Sequence, residues 1–561
     1  MKYSVKKRAR VYTPLRGFAH LISVLEAKGD RVAFKYPVGR SFETLSYAKL
    51  AAMATAVAAG LEAEGLAGKR IAIIGETSPQ WVASYLGIIA GGGVAIPMDK
   101  ELEISQIEGF LASVDAEAIL YSAHFNDKLE AAKQSHPSLK KFIPFAGEAA
   151  ESTLPFAALV EKGEAAVAAG YTFPERDREA LATMLFTSGT TGTSKCVMLA
   201  EKNTCACVNA ALASVNFSSE DTLLSVLPIH HTYELAIMLA ALDLGIFIGI
   251  NDSLRHLMRN IEEIKPTGLI LVPLFVSTIY KRIMDKAKKQ GKDKLMNRMI
   301  PIASKMPRAW RRKMFGSVHA AFGGRLEKII CGGAALNPDL VKKFDAFGIQ
   351  ICEGYGITEC SPLIAVNPYF ANKPGSVGPA VPGCEARIAV TGKNDLGYDE
   401  GEIQAKGDNV MIGYYKNEEA NASAFTEDGW YRTGDMGYLD EDNYIHITGR
   451  LKSVIVLENG KNVFPEEIEE YLEDIEEIAE SVVVGRKAED SDTVLLTAVV
   501  YPNKDAFPEG TDKETMYKAI YQKITEQNKR VASFKKIMAL ELRDTEFEKT
   551  TSRKIKRHLV K

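Results

Sequence analysis

Over the first two-thirds of the chain, short apolar runs alternate with helix-length amphipathic stretches. Arg70 to Gly75 (RIAIIG) reads as a strand and Trp81 to Ala90 as a helix; three glycines later, Val94 to Pro97 reads as the next strand. Ala118 to Tyr121, Thr183 to Phe186, Leu223 to Leu227, Leu269 to Val272, Lys328 to Cys331 and Ile349 to Cys352 continue the series. Such alternation predicts α/β architecture, with parallel-type sheets flanked by helices in two subdomains. After Lys373 glycine and proline become frequent (KPGSVGPAVPG), which predicts a small barrel-like β unit over about 374–449. Beyond Lys452 an acidic helix, Pro465 to Glu480, precedes strands Ser481 to Val484 and Val494 to Tyr501. That segment predicts a separate small α+β domain, so the expected division is 1–451 and 452–561.

Length agrees with several units, since 561 residues is too long for one core at roughly 150 residues per domain. An apolar fraction of 46%, a charged fraction of 25% and a net charge of −3 describe an ordinary globular chain and give no reason to expect nucleic acid. No apolar stretch approaches the ~20 residues of a membrane span. The first 25 residues lack Asp and Glu, which reads as a basic N-terminus on a cytoplasmic protein rather than a transit peptide. Seven cysteines without CxxC pairs or metal spacing indicate buried thiols in a reducing compartment. Cys196, beside the loop described next, is the one candidate for sensitivity to thiol reagents. Lys281 to Lys313 holds 13 basic residues against the two acids Asp285 and Asp293. It reads either as a solvated helical face or as a peripheral docking surface for anionic lipid.

The most informative stretch is Thr187-Ser-Gly-Thr-Thr-Gly-Thr-Ser-Lys195, directly after an apolar run. Glycines let backbone N–H groups approach an anion, hydroxyls add donors, and the lysine adds a point charge. This is a polyphosphate cradle. It is not the P-loop of kinases and GTPases, whose glycines and lysine are spaced differently. Further motifs follow in order: Ile330-Cys-Gly-Gly-Ala-Ala-Leu336, Glu353-Gly-Tyr-Gly-Ile-Thr-Glu359, Tyr431-Arg-Thr-Gly-Asp435, Thr448-Gly-Arg-Leu-Lys452 and Lys549-Thr-Thr-Ser-Arg-Lys554-Ile-Lys-Arg557. Several fall just after predicted strands, where open α/β sheets bind ligands.

Together, in this order and over essentially the whole chain, these motifs resemble the adenylate-forming enzymes: acyl-CoA synthetases, luciferase and peptide-synthetase adenylation domains. Leu227-Pro-Ile-His-His-Thr-Tyr-Glu234 and Ser453-Val-Ile-Val-Leu-Glu-Asn-Gly-Lys-Asn-Val-Phe-Pro-Glu-Glu467 are most similar to long-chain fatty acid–CoA ligases. The resemblance implies ATP and CoA as co-substrates and Mg2+ as cofactor. It places Thr187, Ser188, Gly189, Thr190, Thr191, Gly192 and Lys195 around the ATP phosphates. Glu359 would hold Mg2+, with Thr187 a second protein ligand. Gly333 and Ala334 would border adenine, Tyr355 would stack on it, and Glu353, Gly354 and Gly356 would complete that wall. Thr358 would reach the α-phosphate, Asp435 and Arg450 the ribose, and His231 the junction of carboxylate and α-phosphate. Lys554 would bridge carboxylate and phosphoryl group. Arg553 stands where the family usually has glycine, while Ile555 and Arg557 keep the rest of that motif. Lys452 falls at the family's hinge, so the C-terminal domain is expected to be mobile.

The implied chemistry needs no acid–base residue in its first step. An ionised carboxylate attacks the α-phosphorus and expels pyrophosphate, then a thiol attacks the acyl-adenylate and AMP leaves. Positioning and charge neutralisation account for catalysis. No aspartate follows His231 to pair with a substrate amine, which disfavours amino acids. The expected activity is a medium- or long-chain fatty acid–CoA ligase. The alternatives are a ligase that loads an acyl carrier protein, a CoA ligase for an aryl carboxylate, and a catalytically silent binder at a membrane surface.

Overall fold

The computed structural model describes residues 13–129, 138–146, 153–187, 194–457, 462–487, 494–549 and 555–560. Within them Ser188, Gly189, Thr190, Thr191, Gly192 and Lys554 do not fall, so six of the expected site residues lie outside the described chain.

Two large mixed sheets form the body. In the eight-stranded sheet the order is Leu363–Val366, Gln350–Gly356, Lys328–Gly332, Gly268–Leu271, Thr222–Ser225, Phe247–Ile250, Val32–Val38 and Ser41–Ser46. Its inner neighbours pair in parallel, and the two outermost strands are antiparallel. In the seven-stranded sheet the order is Gly413–Tyr414, Lys195–Ala200, Leu181–Thr187, Val94–Met98, Arg70–Ile74, Ala118–Tyr121 and Lys141–Pro144. It is parallel except where Lys195–Ala200 pairs with Leu181–Thr187 and Gly413–Tyr414. Strand interiors are buried, which is why they read as apolar runs rather than alternating ones.

The helix Pro79–Ala90 shows how local sequence sets an element. Ser78 caps it, its Oγ accepting from the Trp81 N–H at 3.2 Å, and Pro79 occupies the first turn. Trp81 and Tyr85, four residues apart, stack with ring centroids 5.7 Å apart in the core. Burying each such side chain contributes about 1.5–3 kcal/mol.

The unit expected as barrel-like is a four-stranded antiparallel sheet, ordered Cys384–Lys393, Asp399–Gly407, Tyr431–Leu439 and Ile445–Arg450. After Arg450 a single helical turn, Leu451–Ser453, carries Lys452 into the last unit. There the strands Ile478–Lys487, Val494–Pro502 and Ala539–Leu542 pack with the helices Pro465–Leu472 and Lys513–Gln527 around Ile468, Leu496, Val500, Ile520 and Ile524. The acidic helix is shorter than expected, ending at Leu472 instead of Glu480. Glu473, Asp474, Glu476 and Glu477 follow, and acids at a helix C-terminus oppose its dipole and repel one another. Polar contacts join this unit to the body: Asn337 Nδ2 donates to Asp474 at 3.3 Å, and Lys288 pairs with Glu476 at 3.5 Å.

The basic segment forms three helices, Pro273–Lys289, Asp293–Ala303 and Arg308–Met314. Three of its arginines are internal clamps. Arg308 donates to the carbonyls of Gly348 and Glu327, Arg311 pairs with Asp345, and Arg312 donates to Leu326. Cys196 is buried and its thiol is pushed up to about 12 by that burial, so the expected sensitivity to thiol reagents has no thiolate behind it.

Candidate active site

A cleft of ≈ 2940 Å³ opens where the two large sheets, the antiparallel sheet and the C-terminal unit meet. Thr187, Lys195 and His231 line it, with Gly333 and Ala334 after one strand, Glu353, Gly354, Tyr355 and Gly356 on the next, and Thr358, Glu359, Asp435 and Arg450 beyond. Every expected site residue that the structure describes therefore lines one cleft; Gly333 and Ala334 follow the carboxyl end of a parallel strand, while Asp435 and Arg450 come from the antiparallel sheet.

Each is set there by strand register. Thr187 pairs with Lys195 across an antiparallel ladder, so the two ends of the Ser/Thr/Gly-rich loop are held side by side. Gly332 faces Gly354 and Cys331 faces Glu353, which aligns the glycine turn at Gly333 with the strand carrying Tyr355. Gly356 has no room for a side chain, since a Cβ there would sit 1.8 Å from the Pro362 carbonyl oxygen. Asp435 lies opposite Arg450 in the small sheet, and the Arg450 Nε reaches its Oδ1 at 3.0 Å. That carboxylate holds the guanidinium firmly charged.

Two tyrosine hydroxyls tie the carboxylates down. Tyr355 donates to Asp435 Oδ2 at 2.8 Å, and Tyr414 donates to Glu359 Oε1 at 2.8 Å. Tyr414 also lies 3.2 Å from the Tyr431 hydroxyl and carries the Lys195 ammonium over its ring at 4.6 Å. Sequence reasoning missed Tyr414 and Tyr431 as site residues. The signal available was their place in Gly413-Tyr-Tyr415 and in Tyr431-Arg-Thr-Gly-Asp435, aromatics within three residues of a glycine.

His231 stands at the N-cap position of the helix Thr232–Leu244, while the buried His230 points Nε2 toward Asp99 at 3.5 Å. Their rings are 4.3 Å apart. Glu234, in the first turn of that helix, is fully enclosed and accepts from the Ser225 hydroxyl; burial pushes its carboxyl up to about 8. Glu353 is similar. Burial pushes it up to about 8, an N–H of Gly375 lowers it, and the nearby charge of Glu470 raises it further. Among the described residues its Oε2 has no hydrogen-bond partner, and Glu353 lines the cleft, so the protonated carboxyl has a hydrogen bond left to donate.

Beside the cleft runs a second cavity, with about 850 Å³ of empty space including its open mouth, lined almost wholly by apolar side chains. Tyr233, Ala236, Ile237, Ala240, Ala241 and Leu244, one face of the helix Thr232–Leu244, form a wall along it. Gly333, Gly354, Tyr355 and Gly356 border it as well as the cleft, so the two spaces meet at the glycine turn.

Metal fit is tested by the donors present. Among the described residues no cluster of three or more His, Cys, Asp or Glu forms a metal cage. Glu359 with the Thr187 hydroxyl suits Mg2+, which typically takes one or two protein oxygens and completes its shell with phosphates and water.

Ionisation of Glu353 gives a prediction for stability. The folded chain keeps its proton up to about 8, whereas the unfolded carboxyl ionises near 4.5. The folded state thus binds the extra proton in that window, and its contribution to stability falls as pH rises through it. Glu353→Gln keeps the acceptor and removes the titration. Thermal denaturation should show wild type losing a few degrees more in Tm than E353Q between about pH 5 and about pH 8; parallel losses would mean that Glu353 ionises normally.

Comparison with known proteins agrees with this geometry. The sequence model of the AMP-binding enzyme family matches residues 23–415, and that of the AMP-binding enzyme C-terminal domain matches 452–561. The long-chain-fatty-acid–CoA ligase FadD15 of Mycobacterium bovis is 30% identical over 484 residues, covering 81% of this chain and 78% of that one. The chloroplastic long-chain-fatty-acid–acyl-carrier-protein ligase AEE15 of Arabidopsis thaliana is 27% identical, covering 90% and 78%. Among solved structures, ATP-bound MatB from Rhodopseudomonas palustris superposes with a TM-score of 0.75 at 26% identity, covering 97% and 98%. With a family match over more than half its length and a shared architecture from end to end, the chain belongs to the AMP-binding enzymes, the adenylate-forming acid–thiol ligases.

Proposed function

We propose that the protein is an ATP-dependent ligase that joins a straight-chain fatty acid to CoA through an acyl-adenylate. The observation that carries the fatty acid is the apolar cavity meeting the nucleotide cleft at Gly333, Gly354 and Tyr355. Only ≈ 100 Å³ of it is wide enough for the centre of a water molecule, so it is a narrow slot. A slot of this kind suits a slim aliphatic chain better than an aromatic ring. The identity to FadD15 supports the same substrate class.

In this reading ATP lies along the cleft. Its phosphates contact Lys195 and the Ser/Thr/Gly-rich loop, its ribose hydroxyls donate to Asp435, and its adenine borders Gly333, Ala334, Glu353 and Tyr355. Tyr355, already fixed by its hydroxyl on Asp435, keeps ring and ribose acceptor in one rigid unit. Glu359 and Thr187 would hold Mg2+, which when bound would neutralise charge on the phosphates. The fatty carboxylate enters beside His231 and attacks the α-phosphorus, with Thr358 and Lys195 fixing the phosphoryl oxygens. Pyrophosphate leaves with the P–O electron pair. The CoA thiolate then attacks the acyl carbon, and AMP departs. Lys554 bridges the two reactants in the first step, and the C-terminal unit pivots near Lys452 between steps. Among the described residues its polar contacts with the body, Asn337–Asp474, Lys288–Glu476 and Lys535–Asp395, each involve a solvent-exposed acid, so movement can break them.

Pyrophosphate release over carboxylic acids of graded length, with and without CoA, tests the reading. Release with aliphatic acids and acyl-CoA formation are expected. Release with aryl acids alone would overturn the fatty-acid assignment, and acylation of a carrier protein but not CoA would overturn the acceptor. Lys554→Ala should lower adenylation by about 100-fold or more and spare thioester formation from supplied acyl-adenylate. Equal loss in both half-reactions would remove Lys554 from the first step.

The basic segment is assigned to an anionic bilayer surface. Leu295, Ile302 and Trp310 are 56%, 59% and 62% exposed, among the exposed Lys292, Lys294, Arg298 and Lys305. Such cations contribute about 1 kcal/mol each near anionic lipid. Vesicles of anionic lipid should float the protein at low salt, and Trp310→Ala combined with Lys292→Glu and Lys294→Glu should weaken this several-fold. Binding that ignores lipid charge, or that the triple variant retains, would overturn the assignment.

A further inference from the structure

We infer that Phe217 is the end-stop of the acyl channel and sets the longest chain the enzyme handles well. The inference rests on the fatty-acid reading above and adds a length to it.

One face of a single helix, from Tyr233 to Leu244, walls the channel. Eleven residue steps at about 1.5 Å each make it about 16 Å long. A staggered hydrocarbon chain with bonds of about 1.5 Å advances about 1.25 Å per carbon, so roughly twelve to fourteen carbons span that length. The mouth is at Gly333 and Tyr355. At the other end, beside Gly268 and past the last turn of that helix, stand Phe217, Leu223 and Ile246, all buried.

What makes Phe217 a firm stop lies behind it. The Lys328 ammonium sits 4.4 Å from the Phe217 ring centroid and pairs with Asp221 at 2.9 Å. Asp221 also accepts from the Thr267 hydroxyl at 2.7 Å and from the Ser218 N–H at 2.8 Å. A chain end pushing past the ring would meet a buried, hydrogen-bonded ion pair. Separating that pair leaves a charge unpaired inside the protein, which is strongly unfavourable. On the strand beside it is Gly268, where a Cβ would lie 2.6 Å from Phe217 Cε1 and 2.7 Å from Leu223 Cδ2. Its φ lies outside the left-handed region, so the glycine is explained by space alone. It leaves the ring room to lie flat against the ion pair rather than in the channel.

The geometry therefore makes two opposite predictions. Phe217→Ala should lengthen the preferred substrate, and Gly268→Ala should shorten it by forcing Phe217 and Leu223 inward. Carboxylate-dependent pyrophosphate release is measured with saturated acids from about six to about eighteen carbons for wild type, F217A, the milder F217L and G268A. Wild type should peak near twelve to fourteen carbons, a length set by about 1.5 Å per residue along the helix. F217A should shift the peak upward by at least two carbons, with kcat/KM for the longer acid gaining about tenfold relative to the shorter, the worth of two buried methylenes. F217L should shift it less in the same direction, and G268A should shift it downward. Identical profiles in folded variants, or shifts with the signs reversed, would overturn the inference while leaving the fatty-acid reading intact. No activity of wild type with any straight-chain acid would sink both.

Discussion

Two tyrosine–carboxylate hydrogen bonds hold the active site together, and they do so by joining separate sheets. Tyr355 stands on the eight-stranded sheet and Asp435 on the small antiparallel one; Tyr414 belongs to the edge of the seven-stranded sheet and Glu359 to the turn after Gly356. Each bond is to a charged or chargeable acceptor and largely shielded from water, where such a bond contributes about 1.5–3 kcal/mol. More important is direction. A hydroxyl that must reach a carboxylate on another sheet leaves little freedom in how the sheets meet, so the cleft walls are fixed before any nucleotide arrives. Lys195, resting over the Tyr414 ring, inherits the same positioning. Preorganisation of this kind is what a reaction without an enzyme nucleophile requires, because its rate comes from placing charge where it develops.

The channel and the cleft are joined by small residues. Gly333, Gly354 and Gly356 border both spaces, and Gly356 has a carbonyl where a side chain would go. Much of the wall between the apolar slot and the polar cleft is therefore backbone, with Tyr233, Tyr355 and Pro362 beside it, which lets a carboxylate stay in one while its chain lies in the other. A bulky residue at that junction would close it. The glycines of EGYG and CGG thus work as openings as much as flexible turns.

Much of this was legible in the chain itself, because strand-then-glycine motifs mark ligand-facing ends of parallel sheets whatever the rest of the fold does. The alternating apolar runs located the strands to within a few residues, and the residues after them fell into one cleft. What the sequence hid is what depends on distance in space. Tyr414 is 55 residues from Glu359, and Tyr355 is 80 from Asp435, so no local pattern links them. Phe217 precedes its strand in an unremarkable turn, and only the position of Lys328 and Gly268 makes it a floor. The charge run at 281–313 misled in part, since Arg308, Arg311 and Arg312 turn inward to cap backbone carbonyls. The expected helix runs too long past Leu472 because acidity reads as helical surface until its sign is compared with the dipole.

The balance of charge in the cleft explains its buried acids. A site that gathers a triphosphate and a carboxylate should carry little negative charge of its own, yet Glu234, Glu353, Glu469, Glu470 and Glu473 all line it. Burial resolves the conflict. It pushes Glu234 and Glu353 up to about 8 and Glu469 and Glu470 up to about 7, so near neutral pH part of this charge is absent. Glu234 and Glu353 belong to the body, and their environment is built into its strands and helix. The other three belong to the C-terminal unit, and Glu470 acts on Glu353 across the boundary. Glu473 is exposed to solvent, and Glu469 accepts from Arg557 and from the Val483 N–H of its own unit. Turning the unit away would take the Glu470 charge from beside Glu353, so docking and the protonation of Glu353 are thermodynamically linked.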